Sequence, residues 1–205
     1  MNNLVKTGEK YMKKKLKVLG ISVLSLILVL IIGIGMIFKG EIRTLISFKQ
    51  LNEHPFYEMT YHADYNLDEF LINGAATDDE LVSFVTKQIL KGVSFDVNPD
   101  GACSTFIATN LEDENLFGRN FDYVHSIGLI VRTQPKNGYK SISLVNLNHL
   151  GLSLENMPTK NLINRIVTLA APYAPLDGMN EKGLAIGVLV IEDGKVHQNT
   201  GKVPI

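Results

Sequence analysis

Apolar positions along the chain fall into three regimes, and the first is continuous. From Val18 to Phe38 the sequence VLGISVLSLILVLIIGIGMIF carries no charge and only Ser22 and Ser25 as polar interruptions. A helix of that length covers a hydrocarbon core of roughly 30 Å, so the run predicts a transmembrane anchor. A cleaved signal peptide is the rival reading. Against it, the run exceeds the usual apolar core of about 7–15 residues, and Met36-Ile37-Phe38-Lys39 offers no small-x-small cleavage site. In the second regime the spacing is helical. Ile42, Leu45, Ile46 and Leu51 within residues 39–54 predict an amphipathic stalk that stops before Pro55. Phe56 to Tyr65 alternates loosely between aromatic and β-prone residues. Thr77-Asp78-Asp79-Glu80 then forms a capping box, opening a helix that presents Leu81, Phe84, Val85 and Ile89 on one face and ends at Gly92.

The third regime follows the turn composition Asn98-Pro99-Asp100-Gly101, after which the period moves towards two. Strands are predicted at 103–109, 116–122, 127–134, 139–147 and 184–192, joined by turns such as Glu112-Asp113-Glu114-Asn115 and Pro135-Lys136-Asn137-Gly138. One helix, 159–170, starts at Thr159, presents Leu162, Ile163, Ile166 and Leu169, and runs into the Pro172 and Pro175 loop. The chain closes on Gly-Lys-Val-Pro-Ile shortly after a strand and reads as cut short. The pattern predicts an α+β domain with largely antiparallel strands, with no repeat outside the anchor.

Composition narrows the function classes. The 205 residues leave room for about one domain beside the membrane segment. A net charge of −1 gives no basic face for nucleic acid. Lys6, Lys10, Lys13, Lys14, Lys15 and Lys17 stand against Glu9 before the apolar run, while Lys39, Arg43 and Lys49 follow it more sparsely. That asymmetry predicts a single-pass cell-membrane protein with a cytoplasmic N-terminus and an extracellular domain. The histidines are scattered without metal-ligand spacing, and no phosphate-binding glycine loop is present, so neither a metal nor another cofactor is expected.

The single cysteine permits no internal disulfide, and a thiol facing an oxidising exterior needs either burial or a chemical role. Cys103 opens a predicted strand directly after a turn. The next strand ends in Gly118-Arg119-Asn120-Phe121-Asp122, which brings a guanidinium and a carboxylate alongside. Strict alternation puts Arg119 and Phe121 on one side and Asn120 and Asp122 on the other. Arg119 and Asp122 therefore share a site only through a bulge or an end bend. The plainer readings are a small buried cysteine and a surface ion pair. Asp177-Gly178-Met179-Asn180-Glu181-Lys182-Gly183 reads as a turn, and Tyr57, Tyr61 and Tyr65 read as packing.

The segments GACSTFIATNLEDENLFGRNFDY and APLDGMNEKGLAIGV resemble the linear amide C–N hydrolases related to the choloylglycine hydrolases, a group with bile salt hydrolases, penicillin V acylases and, as a relative, acid ceramidase. The resemblance covers about residues 56–205, with its specific motifs at 101–123 and 176–190. It implies an αββα sandwich of the N-terminal-nucleophile type, apparently truncated at the C-terminus and preceded by one transmembrane helix. It implies cleavage of Ala102–Cys103, so that Cys103 supplies both thiol nucleophile and α-amine base, with Arg119 beside the thiol and Asp122 hydrogen-bonded to the new amine. Counting from Asn180, a substrate or oxyanion candidate itself, places the family's oxyanion position at Val190, where only the backbone N–H can donate. The family's further asparagine and arginine would lie past Ile205. The expected organisation is a basic tail at 1–17, an anchor at 18–38, a stalk and propeptide-like segment at 39–102, and the first part of a hydrolase domain at 103–205. The expected partner is a small-molecule acyl amide, with lipid-like amides among the candidates, and the membrane through 18–38. The alternatives are an inactive cell-surface binding domain and an incomplete fragment of such a hydrolase.

Overall fold

A computed structural model describes residues 2–95, 102–122 and 126–189 of the chain. The first helix, α1 (Asn2–Ile37), includes both the basic tail and the apolar run. Within it lies the 24-residue stretch Lys14–Ile37, whose most apolar 18 residues have a mean hydropathy of 2.8, none of them buried by protein. That length and composition suit a membrane crossing, and a signal sequence meets the same criteria. Phe38, at φ −98° and ψ 23°, separates α1 from α2 (Lys39–Ser47).

The stalk expected over 39–54 is corrected by packing. Helix α2 ends at Ser47, and Lys49–Gln50 already forms β1 of the main sheet. Thr44 is wholly buried; its hydroxyl donates to the Gly40 carbonyl at 2.9 Å and accepts from the amides of His62 at 2.8 Å and Ala63 at 3.2 Å. Those bonds weld α2 to the chain leaving the second strand. The close approach needs glycine, because a Cβ at Gly40 would lie 2.8 Å from the Ala63 Cα.

Among the described residues the main sheet has six strands in the order β1-β2-β5-β6-β7-β8. They are β1, β2 (Phe56–Thr60), β5 (Gly128–Thr133), β6 (Ser141–Asn146), β7 (Asp177–Asn180) and β8 (Ala185–Gly187). Only β2 and β5 run parallel, Tyr57 beside Leu129 and Met59 beside Val131; the other pairs are antiparallel, as the sequence pattern predicts. The crossover from β2 to β5 carries α3 (Leu67–Asn73), α4 (Asp78–Phe84), a π-helical turn (Val85–Ile89) and a separate two-stranded ribbon, β3 (Ala102–Thr109) with β4 (Asn115–Asp122). The Thr77 hydroxyl caps α4 by accepting from Glu80 N at 3.2 Å, and the Glu80 carboxylate reaches back to Ala76 N at 2.9 Å.

Alternation sorts the sheet into two sides. Tyr57, Met59, Leu129, Val131 and Val145 form the buried side, packed with Phe48, Val85, Ile89, Leu169, Ala170 and Ala171 from the helices and turns. Tyr57 and Tyr61 are core residues, as spacing predicts; Phe48 stacks on Tyr57, and the Tyr61 hydroxyl donates to Leu169 O at 2.9 Å. Burial pushes the Tyr61, Tyr65 and Tyr173 phenols up, keeping them neutral. The helix expected from Thr159 begins later. Asn161 caps α5 (Leu162–Val167) by accepting from Asn164 N at 2.8 Å, and a 3-10 segment (Thr168–Tyr173) carries the chain through Pro172.

On the other side, Asp177 pairs with Leu144 and Gly187, while the ribbon turns towards β7 and β8. A Cβ on Gly187 would meet the Phe117 ring at 3.2 Å and the Thr105 methyl at 3.7 Å. The heptapeptide read as a turn is therefore a strand followed by a turn. Asp177–Asn180 pairs with β6, and only the stretch closing at Gly183, φ 81°, makes the reversal. Strand β8 is described over Ala185–Gly187; the remainder of the strand expected at 184–192, from 190 onward, and the turn at 98–101 lie outside the described residues.

Candidate functional site

Ribbon register decides which side chains meet. Ala102 pairs with Asp122, Cys103 with Phe121 and Thr105 with Arg119, without a bulge. Directly opposed residues share a face, so Cys103, Arg119 and Phe121 point one way. Asp122 points the other. It is exposed, accepts from Asn120 Nδ2 at 2.7 Å, and stands one register step from Cys103, opposite the residue whose bond to Cys103 the resemblance marks for cleavage.

Arg119 organises the inner face. Its side chain is 4% exposed. Nη2 donates to Cys103 Sγ at 3.0 Å and to Val188 O at 2.9 Å, and Nη1 meets Asp177 Oδ2 at 3.3 Å. The guanidinium carbon lies 5.1 Å from the Phe121 ring centroid, and Nε is buried with no hydrogen-bond partner. A buried cation of this kind needs a counter-charge, and Asp177 supplies it. Burial holds the Asp177 carboxyl above the ordinary carboxylate range, with the Arg119 guanidinium pulling it back down. The surface Arg119–Asp122 ion pair considered from the sequence is replaced by a buried Arg119–Asp177 pair.

Half-buried Cys103 faces a cavity of about 230 Å³ at the end of the sheet where β6 and β8 finish and β7 begins. Leu81, Val85, Phe95, Leu150, Tyr173 and Val188 contribute apolar wall, and Asp78, Arg119 and His149 contribute the ionisable groups. A second cavity of about 450 Å³ lies between α3 and β6–β8 and shares Leu81, Tyr173, Pro175, Leu176 and Val188 with the first. A cationic donor therefore sits on the sulfur, and a largely apolar cavity adjoins both.

Asn180 is not beside the thiol. Its side-chain oxygen accepts from the amides of Lys182 at 2.9 Å and Leu184 at 3.2 Å, which shapes the β7–β8 turn, and it borders the larger cavity. Val190 lies outside the described residues. Sequence reasoning missed Asp177, because its composition signals a turn and its partner lies far away in the chain; a demand for a counter-ion to Arg119 was the available clue. No group of three or more His, Cys, Asp or Glu suited to a metal occurs among the described residues. Comparison with protein-family models, with curated proteins and with solved structures finds no match to this chain.

Proposed function

We propose that the protein is a membrane-anchored amidase that hydrolyses a linear carbon–nitrogen amide bond with Cys103 as nucleophile, after cleavage of Ala102–Cys103 frees the Cys103 α-amine. The observation that carries the reading is the Arg119 Nη2 to Cys103 Sγ contact of 3.0 Å from a buried guanidinium, beside a cavity able to hold an acyl group. The freed amine has a reference pKa of about 7.7–8.0, close to the pH at which a general base works best. A backbone amide nitrogen cannot do that work, so the uncleaved chain is inactive.

The amine takes the thiol proton as sulfur attacks the amide carbonyl, forming the S–C bond. The tetrahedral intermediate then breaks its C–N bond, and the proton passes to the leaving nitrogen. Water adds to the thioester, giving its proton to the amine, and sulfur leaves as the acid is released. Arg119 holds thiolate charge, and its Nε–H is a donor left for a substrate oxygen. The resemblance gives Asp122, which pairs with Ala102 in the ribbon register, the role of holding the new ammonium once the bond is cut. The two adjoining cavities favour an amide with an apolar acyl part, and an anchor at 18–38 with the domain outside gives lipid-like amides access.

Helices packed on one side of the main sheet, with a separate two-stranded ribbon set against Gly187 of β8, support the expected sandwich. Cleavage leaves the upstream segment in place, because β2 is hydrogen-bonded to β5, and Tyr57, Met59 and Val85 share a core with Leu129 and Val145. Mass spectrometry of full-length protein purified from membranes tests the processing step. A fragment beginning at Cys103, still associated with the upstream part, is the expected result; intact chain alone removes the proposed base. Cys103→Ser abolishes hydrolysis of acyl amides in the same preparation.

A further inference from the structure

We propose that Asp177 is a positioning residue that shares the Arg119 guanidinium with Cys103 and so sets how much thiolate the site holds. The inference rests on the reading of Cys103 as a reactive thiol. Arg119 is a single buried cation with two acidic neighbours: Nη2 on Cys103 Sγ at 3.0 Å and Nη1 on Asp177 Oδ2 at 3.3 Å. Its position is over-determined, since Val188 O holds Nη2 at 2.9 Å and the Phe121 ring lies against its face. Asp177 is likewise fixed by the strand ladder, between Leu144 on β6 and Gly187 on β8. The guanidinium therefore stays near sulfur whether or not Asp177 is ionised, and what Asp177 changes is the net charge that sulfur sees.

With Asp177 ionised, the pair is close to neutral, and a thiolate on the far side of Arg119 adds a second negative charge to a partly dry site. With Asp177 neutral, the full cation serves the thiolate. At an effective dielectric near 20, one unit charge across several ångströms changes an ionisation equilibrium by about tenfold or more. The raised Asp177 carboxyl agrees with a site that disfavours a second anion. Besides the Cys103 α-amine freed by cleavage, which is common to every variant, the other titratable groups nearby are Asp78 on α4, His149 after β6, and Tyr65 and Tyr173, which border the larger cavity with Asp177. Burial keeps the two phenols neutral. All four are unchanged between the variants compared below.

The test is the rate of Cys103 alkylation by iodoacetamide between pH 5.5 and 10.5 in detergent-solubilised full-length protein, which needs no amide substrate. Asp177→Asn reacts about tenfold faster than wild type at pH 6, and the rates converge near pH 10. Asp177→Glu, which restores the charge, returns to within about threefold of wild type at pH 6. A merely structural role slows or leaves unchanged the reaction at every pH and moves no midpoint. Superimposable profiles for wild type and Asp177→Asn, or slower reaction of Asp177→Asn at pH 6, overturn the assignment of Asp177 while leaving the nucleophile in place. A Cys103 that resists alkylation in every variant until the protein unfolds overturns both.

Discussion

The six-stranded sheet and the two-stranded ribbon draw on similar residues and are held by different forces. In the sheet, Tyr57, Leu129, Val131 and Val145 are fully covered, and the hydrophobic term dominates. In the ribbon, Phe106 and Ile107 stand 62% and 79% exposed, and an isolated hairpin is at best marginally stable in water. What ties the ribbon down is its inner face: Arg119 on Asp177 and Val188, and Phe117 and Thr105 over Gly187. The side chains of the proposed site therefore sit on the less tightly packed of the two regions, clamped by the same guanidinium that touches the Cys103 sulfur. Tight packing and the proposed site separate in this molecule, in line with the general association of low local stability with functional segments.

Paired truncations sharpen the contrast most. Leu129→Ala, in the middle of the sheet, lowers global stability by about 2–5 kcal/mol, whereas Ile107→Ala on the ribbon changes it by less than about 0.5 kcal/mol. Chemical denaturation of both variants measures this, and equal losses erase the distinction. Next in size is Arg119→Leu, which leaves the Asp177 carboxylate without its partner and frees Val188 O, at a local cost of about 1–3 kcal/mol. Hydrogen exchange in that variant accelerates over 102–109 and 115–122 and stays unchanged over β2, β5 and β6. Acceleration across the whole sheet shows instead one cooperative unit.

The smallest effect belongs to the sheet surface. Glu58 lies between Lys49 at 2.5 Å and Arg132 at 3.0 Å, and the Lys49 hydrogen bond is the leading reason its carboxyl is held below the ordinary 4.5. Its folded-state pKa is lowered, so its contribution is present above the unfolded value and fades as pH falls through the folded one. Glu58→Gln is thus slightly less stable than wild type at pH 7 and indistinguishable from it at pH 2. A difference that grows in acid reverses the sign.

Much of this contrast was legible in the sequence. The ribbon strands, β5 and β6 are bounded by clear turns, and their period-two runs come within two residues of the observed ends. The apolar run of α1 admits one reading of its secondary structure. Alternation also foretold that Arg119 and Asp122 face apart. The misses share a cause: pairing that overrides local preference. Asp-Gly-Met-Asn carries turn residues, yet β6 offers it a ladder, and Asp177 enters the site from that strand. Helix α3 is preceded by Asn66 at its N-cap position, which adopts a left-handed conformation, φ 55°, and makes no side-chain cap, so it carries no start signal. The stalk ends early because Thr44 and Leu45 are claimed by the domain, which helical spacing alone does not reveal.

The most direct measurement of the proposed chemistry is a search for the acyl-enzyme. Full-length protein is mixed with a panel of N-acyl amides of increasing chain length, quenched in acid within the first turnovers, and its peptides analysed by mass spectrometry. The expected result is an acyl group on the sulfur of a peptide that begins at Cys103, removed by hydroxylamine as a thioester is, and missing in Cys103→Ser. Amide hydrolysis that proceeds without such an adduct and survives Cys103→Ser would contradict it.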